Sequence, residues 1–180
     1  MGLYCDIIKL SCYELNERLS LSNNQEKLYA FLQNDRNNAS LELDKAWHGI
    51  HFLLKKCSNN DMAGFLIDGG KVIQNTSWRD IYGVDVIDMR CFKDDEVKKI
   101  NSILQSIPND AISKNYNPPQ LNKMKIYPDI WEKGFISSLL AKRLKSSSSL
   151  DYISFYYLKL RKFIKEAAED NLSIIIKYHQ

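Results

Sequence analysis

The spacing of apolar residues predicts strands at the start, middle and end of the chain, with helices between them. Short apolar runs bounded by turn residues indicate strands, and apolar residues repeated every three to four positions indicate helices. The expected strands cover about residues 2–9, 84–92 and 173–178, and the expected helices cover about residues 11–19, 28–32, 44–56, 94–107, 136–144 and 150–171. We therefore expect one α+β domain over residues 1–180, with a mixed β-sheet covered by several helices.

The sequence at the beginning of the first predicted helix contains a capping motif. Ser11 and Glu14 match the capping box, in which each side chain binds a backbone N–H of the opening turn. The helix that follows is expected to turn Cys12, Leu15 and Leu19 inward, because these positions share one face.

A hairpin is predicted around residues 68–70, Asp-Gly-Gly, because glycine accepts the positive φ that tight turns require. Its two arms would be residues 65–67 and 72–73, which are apolar. Residues 109–134 contain many turn signals together with aromatic and aliphatic side chains. We expect this segment to be irregular but packed.

Composition and charge narrow the function classes. The 180 residues include 25 basic and 22 acidic side chains, a net charge of +3 that is spread along the chain, so no nucleic-acid partner is expected. No apolar run approaches the ~18 residues that a membrane span needs. We find no secretory signal, and the four cysteines form no CxxC pair, so a cytoplasmic protein with reduced thiols is expected. The oligomeric state stays open.

The most suggestive polar cluster is Asp44, His48 and His51. If a helix begins at Asp44, these three side chains fall within an arc of about 60° on one helix face. Such a stripe is suited to bind a metal with a further ligand from elsewhere, or to transfer protons with Asp44 orienting His48. The alternative is that Asp44 only caps the helix and that both histidines lie at the core edge.

A second cluster covers residues 127–131, Tyr-Pro-Asp-Ile-Trp. Its Tyr127, Asp129 and Trp131 are candidates to line a ligand or partner pocket, together with Trp47 and Tyr82. Aromatic packing against an irregular loop explains the same residues. No phosphate-binding loop, nucleophile elbow or zinc-protease motif is present, and we expect neither a metal nor a cofactor.

Several segments resemble the YfbM-like family of bacterial proteins, which has no known function. They are residues 43–54, Gly69-Gly70, Tyr82-Gly83, residues 126–131 and Ala167-Ala168. The resemblance covers nearly the whole chain. It implies a compact, cytosolic, single-domain protein, and it marks the Trp47/His48 helix and the Tyr127/Trp131 segment as family motifs without assigning a reaction to them.

Two functions remain in competition, and the first is favoured over the second. The first is a protein-binding module, for example of an immunity or regulatory type, because catalytic motifs are absent and the chain carries many surface charges, including a basic surface in its C-terminal third. That basic surface comprises Lys142, Arg143, Lys145, Lys159, Arg161, Lys162 and Lys165. The second is a small enzyme or ligand-binding protein with a pocket lined by Asp44, His48, His51, Tyr127, Asp129 and Trp131. The second function requires that the two clusters meet at a cavity open to solvent.

Overall fold

The computed structural model describes residues 2–20, 40–83, 86–131 and 148–180. Its strands are β1 (Tyr4–Leu10), β2 (Ser40–Glu42), β3 (Lys71–Ser77), β4 (Ile87–Phe92) and β5 (Ser173–His179). Its α-helices are α1 (Cys12–Ser20), α2 (Trp47–Cys57), α3 (Arg79–Tyr82), α4 (Asp94–Ser106), α5 (Ala111–Asn115), α6 (Pro118–Lys123) and α7 (Ser149–Glu169). The expected helices at 28–32 and 136–144, and the basic residues Lys142, Arg143 and Lys145, lie outside the described residues.

The five strands form one sheet in the order β2-β1-β5-β4-β3. The α+β class is therefore confirmed. The expected mixture of strand directions is not observed, because all four pairings are antiparallel. The closing strand that the sequence predicts becomes the centre of the sheet, where β5 pairs with β1 on one side and with β4 on the other.

Both faces of β5 are covered. Successive side chains of a strand point to opposite faces, so Ile174 and Ile176 enter the main core while Ile175 joins a smaller cluster on the other face. That smaller cluster includes Leu15 of α1. A strand covered on both faces has a continuous apolar sequence, as this one does.

Helix α1 starts as its sequence predicts. The backbone N–H of Ser11 donates to Glu14 Oε2 at 2.7 Å, and the backbone N–H of Glu14 donates to Ser11 Oγ at 3.2 Å. The inward face is only partly as expected. Leu15 is buried, but Cys12 is exposed, and Arg18 is the other buried residue of the helix.

The hairpin prediction is wrong for its first arm. Residues 65–67 follow a 3₁₀ turn (Asp61–Gly64) and continue it, since the N–H groups of Ile67 and Asp68 both donate to the carbonyl of Gly64. Gly69 and Gly70 do have positive φ values, of 74° and 66°. They lead the chain into β3, which pairs with β4 instead of with residues 65–67.

Residues 109–131 are packed, as expected, but they contain two short helices that the turn signals concealed. The Asn117 side chain accepts a hydrogen bond of 3.0 Å from the Gln120 N–H, and Pro118 occupies the first position of α6. Proline is favoured there because that N–H has no partner within a helix. Within the described part of the chain, no helix is both long and apolar enough to cross a membrane.

Candidate functional site

Asp44 does not belong to helix α2, which begins only at Trp47. Asp44 lies in a tight turn with φ of 49°, closed by a 3.1 Å hydrogen bond from the Ala46 N–H to the Leu43 carbonyl. Aspartate tolerates this left-handed conformation better than most residues. The expectation that Asp44 caps the helix and shares a stripe with the histidines is therefore wrong.

The carboxylate of Asp44 instead faces helix α7. It lies beside the hydroxyl of Tyr152, whose pKa is raised first by burial and next by the negative charge of Asp44. The same hydroxyl accepts a 3.1 Å hydrogen bond from the Lys45 N–H. Asp44 thus helps to hold the turn against α7 and is not placed to orient His48.

His48 is held by the segment that follows α6. Its Nδ1 accepts a 2.9 Å hydrogen bond from the backbone N–H of Tyr127, and its ring stacks on Trp47 with 5.1 Å between centroids. Because Nδ1 accepts, the neutral ring carries its proton on Nε2. Burial, followed by the proximity of His51, lowers the pKa of His48 to about 3.

His51 lies one turn further along α2 and is 9% exposed. Its Nε2 is 3.9 Å from Asp68 Oδ2, which is too long for a direct hydrogen bond. Burial lowers the pKa of His51 to about 4, although the negative charge of Asp68 partly opposes that shift. Both imidazoles are therefore neutral at neutral pH.

His48 and His51 line one pocket of about 460 Å³ that opens to solvent. Helix α2 forms one wall, and the segment from α6 to Ile126 forms the other. The remaining lining residues are Phe52, Lys55, Lys56, Gln120, Met124 and Ile126. The volume falls within the range of ~300–1,000 Å³ that is usual for small-molecule sites.

Two lysines lie at the rim of this pocket. Lys55 Nζ forms an ion pair with Asp68 Oδ2 at 2.9 Å. Lys56 Nζ donates to Gln120 Oε1 at 2.9 Å and to the Asn115 carbonyl at 3.2 Å. These bonds hold Lys56 in place, and they also join the two walls of the pocket.

The aromatic residues of the two motifs are mainly structural. Trp47 and Trp131 are fully buried, and their indole N–H groups donate to the carbonyls of Leu3 and Ile126, at 3.1 and 2.7 Å. A side chain without exposed surface cannot contact a ligand directly, so Trp47 and Trp131 do not form part of the candidate binding surface. The Tyr127 hydroxyl accepts a 2.8 Å hydrogen bond from the Leu3 N–H.

Tyr127 does shape the pocket through its backbone, because its N–H fixes the ring of His48. Asp129 is exposed in a turn that follows the cis Tyr127–Pro128 peptide bond, and it does not line the pocket. Tyr82 is the last residue of α3, and its side chain lies outside what the structure describes.

Comparison with known proteins identifies the family. A model of a domain of unknown function, DUF1877, matches residues 1–177. The chain belongs to this family. Among solved structures, the protein of unknown function YfbM from Escherichia coli matches with a TM-score of 0.65 and 17% identity, over 99% of this chain and 100% of that chain. At this identity the likeness shows a shared fold alone. No curated protein matches the chain.

In this DUF1877 domain, sequence patterns indicate some of the pocket residues and not others. Phe52, Lys55 and Lys56 follow His48 at intervals of four, seven and eight residues, which is the spacing of one helix face. That signal was available and was missed. Gln120 and Met124 became recognisable only with α6, whose start is marked by Asn117 before two prolines.

The described residues do not assemble a metal centre. Over the residues that are described, no three His, Cys, Asp or Glu side chains come together in a way that holds a metal ion. With Asp44 turned toward Tyr152, the two histidines lack the carboxylate that a helix starting at Asp44 would align with them.

Proposed function

We propose that this protein is a ligand-binding module and that its binding site is the pocket between α2 and the segment from α6 to Ile126. The observation that supports this proposal is that two imidazoles from α2 line an open pocket of about 460 Å³ beside apolar side chains. Binding pockets typically combine such an apolar lining with a few fixed polar groups.

The pKa values favour binding over acid–base catalysis. An efficient general base has a pKa near the working pH, whereas the pKa values of His48 and His51 are lowered to about 3 and 4. Neutral imidazoles with such low pKa values are weak bases. They are well suited to offer a fixed hydrogen-bond donor and a flat apolar face to a ligand.

The proposal is tested with a library of small fragments of mixed charge and the ¹⁵N-labelled protein. We expect binders to shift the amide signals of α2 and of Tyr127, because the Tyr127 N–H donates to a ring that lines the pocket. The variant Met124→Trp is expected to block binding, since Met124 is 52% exposed at the pocket and a larger ring there fills the opening.

The matched control is Leu158→Trp. Leu158 is a similarly exposed apolar residue, at 56%, on α7 and does not line the pocket. Binding that survives in Leu158→Trp and is lost in Met124→Trp supports the site. A library in which no fragment shifts these amides, or binding that Met124→Trp leaves unchanged, refutes the proposed function.

A protein partner is the second candidate. The observation that favours it is the exposure of two apolar side chains, Met124 at 52% on the segment that forms one pocket wall and Ile130 at 36% four residues after that segment ends. Exposed methionines adapt to varied partner surfaces. Under this alternative, an immunity-type or regulatory partner would cover the pocket, and Met124→Asp would abolish the complex.

A further inference from the structure

The residues that line the pocket carry positive but no negative charges. Its lining contains two lysines and no carboxylate. The charge of Lys55 is balanced by Asp68 at 2.9 Å, but Lys56 contacts only neutral oxygen atoms, those of Gln120 and Asn115. Across the described ranges, no carboxylate lies within ion-pair distance of Lys56. The pocket therefore holds a positioned ammonium group whose charge no described carboxylate compensates.

The opposite end of the pocket offers a hydrogen-bond donor. His48 carries its proton on Nε2, because Nδ1 accepts from Tyr127. No residue of the described segments accepts the proton of this Nε2, and Nε2 is not one of the fully buried side-chain atoms that lack a partner. Because His48 lines the pocket, its N–H is available as a donor to a ligand that binds there.

The wall between these two groups is apolar. His48, Phe52 and Lys56 are spaced by four residues and lie along one side of α2, so the Cα atoms of His48 and Lys56 are separated by about 12 Å along the helix axis. The ring of Phe52 lies between them, and Met124 and Ile126 face it from the other wall. An elongated molecule with an apolar middle is complementary to this surface.

We propose that the pocket binds an elongated organic anion, whose acidic head pairs with Lys56 and whose apolar body packs on Phe52, Met124 and Ile126. This inference rests on the proposed function and specifies its ligand class. Carboxylate and phosphate heads share the required chemistry, since both accept hydrogen bonds from an ammonium group. An amine of the same shape places a positive charge beside Lys56 and is rejected.

The test compares four probes with the same eight-carbon body: octanoate, octyl phosphate, octanol and octylamine. Binding to the ¹⁵N-labelled protein is followed through the amides of α2 and Tyr127. We expect at least one of the two anions to bind about fivefold or more tightly than octanol, as one exposed charge pair allows. Octylamine is expected to bind more weakly than octanol. The ratio between octanoate and octyl phosphate identifies the preferred head.

Two variants assign the effect to Lys56. Lys56→Gln removes the charge and is expected to make the preferred anion bind about as weakly as octanol, whereas Lys56→Arg retains the charge and most of the affinity. Lys99→Gln on α4 is the matched control, because it removes one positive charge from an exposed lysine outside the pocket. It should leave the binding of all four probes unchanged.

The possible outcomes separate this inference from the proposed function. Octylamine or octanol binding as tightly as both anions, or an anion preference that persists in Lys56→Gln, overturns the ligand class. So does a failure of both anions to bind. In each case the fragment library decides independently whether the pocket is a binding site, because that library contains probes of every charge.

Discussion

The two pocket histidines are expected to make the fold sensitive to acid. Folding lowers the pKa values of His48 and His51 from about 6.5 to about 3 and 4. The native state therefore binds fewer protons than the unfolded state below pH 6.5. The contribution of the two histidines to the free energy of unfolding is fully present above that pH and falls as the pH decreases. For each histidine the fall ends near its pKa in the native state.

The magnitude follows from the size of the shifts. At pH 4.5, both histidines are protonated in the unfolded chain and still mostly neutral in the native state. Two pH units below 6.5 correspond to about 2–3 kcal/mol for each histidine, at about 1.4 kcal/mol per unit. Because His48 is partly exposed, we expect a combined loss of about 3–5 kcal/mol, which is a large share of the ~5–15 kcal/mol that stabilises a typical domain.

The assay is urea unfolding at pH 7.5 and pH 4.5 for the wild type and for His48→Asn. The asparagine Oδ1 can replace Nδ1 as acceptor for the Tyr127 N–H, so the variant keeps this hydrogen bond and loses the titrating ring. We expect the acid-induced loss to shrink by about 2 kcal/mol in the variant. Contributions from carboxylates are common to both proteins and cancel in the comparison.

A direct titration of the ring protons accompanies the unfolding data. The chain has three histidines, and only His179 is expected to titrate above pH 6.5 in the native state. If His48 titrates near pH 6.5 in the folded protein, or if His48→Asn loses as much stability in acid as the wild type, the argument about the buried neutral pair is refuted.

Two further predictions concern the sheet. Gly70→Ala should lower the free energy of unfolding by about 2–4 kcal/mol in urea titrations, because a Cβ at this position lies 2.6 Å from the Cys91 carbonyl oxygen. Gly83→Ala is the control, since Gly83 has a similar φ but a Cβ there meets nothing within 4 Å. This variant should lower the free energy of unfolding by only about 1 kcal/mol. Asp6→Asn should lower the pKa of His179 toward 6.5 in an NMR titration, because the hydrogen bond and charge of Asp6 raise it. The charged His179 stabilises the fold below pH 6.5, and this stabilisation is lost as the pH rises through the raised pKa. If Asp6→Asn leaves the pH dependence of the unfolding free energy unchanged, the assigned role of Asp6 is contradicted.

The long periodic elements were predictable because local pattern and tertiary packing agree there. Helix α4 begins at Asp94 and stops before Pro108, and β5 covers the apolar run near the C-terminal end, as the sequence indicates. Residues 65–67 show where local pattern fails. A short apolar run suits a strand and a buried helical turn equally well, and only packing in the main core, where Phe65 lies against Phe92, selects the turn.

Only part of the candidate site was predictable from the sequence, because local patterns do not specify contacts between distant segments. His48 and His51 share a helix face, and their spacing alone placed them together. Asp44 was misplaced because its suitability as a cap is a local property, while the hydroxyl of Tyr152, far along the chain, lies beside its carboxylate in the fold. The second wall of the pocket depends on where α6 and Ile126 dock, which no pattern within residues 109–134 specifies.

The central position of β5 has a consequence for folding and aggregation. The β1–β2 pair and the β3–β4 pair share no strand pairing, and both are joined through β5, in which His179 is paired with Tyr4. Pairings between such distant residues form slowly, so the sheet is completed late. Until then β1 and β4 each expose an unsatisfied edge to other chains. Substitutions that loosen β5 should therefore appear first as self-association, before any loss of helix content.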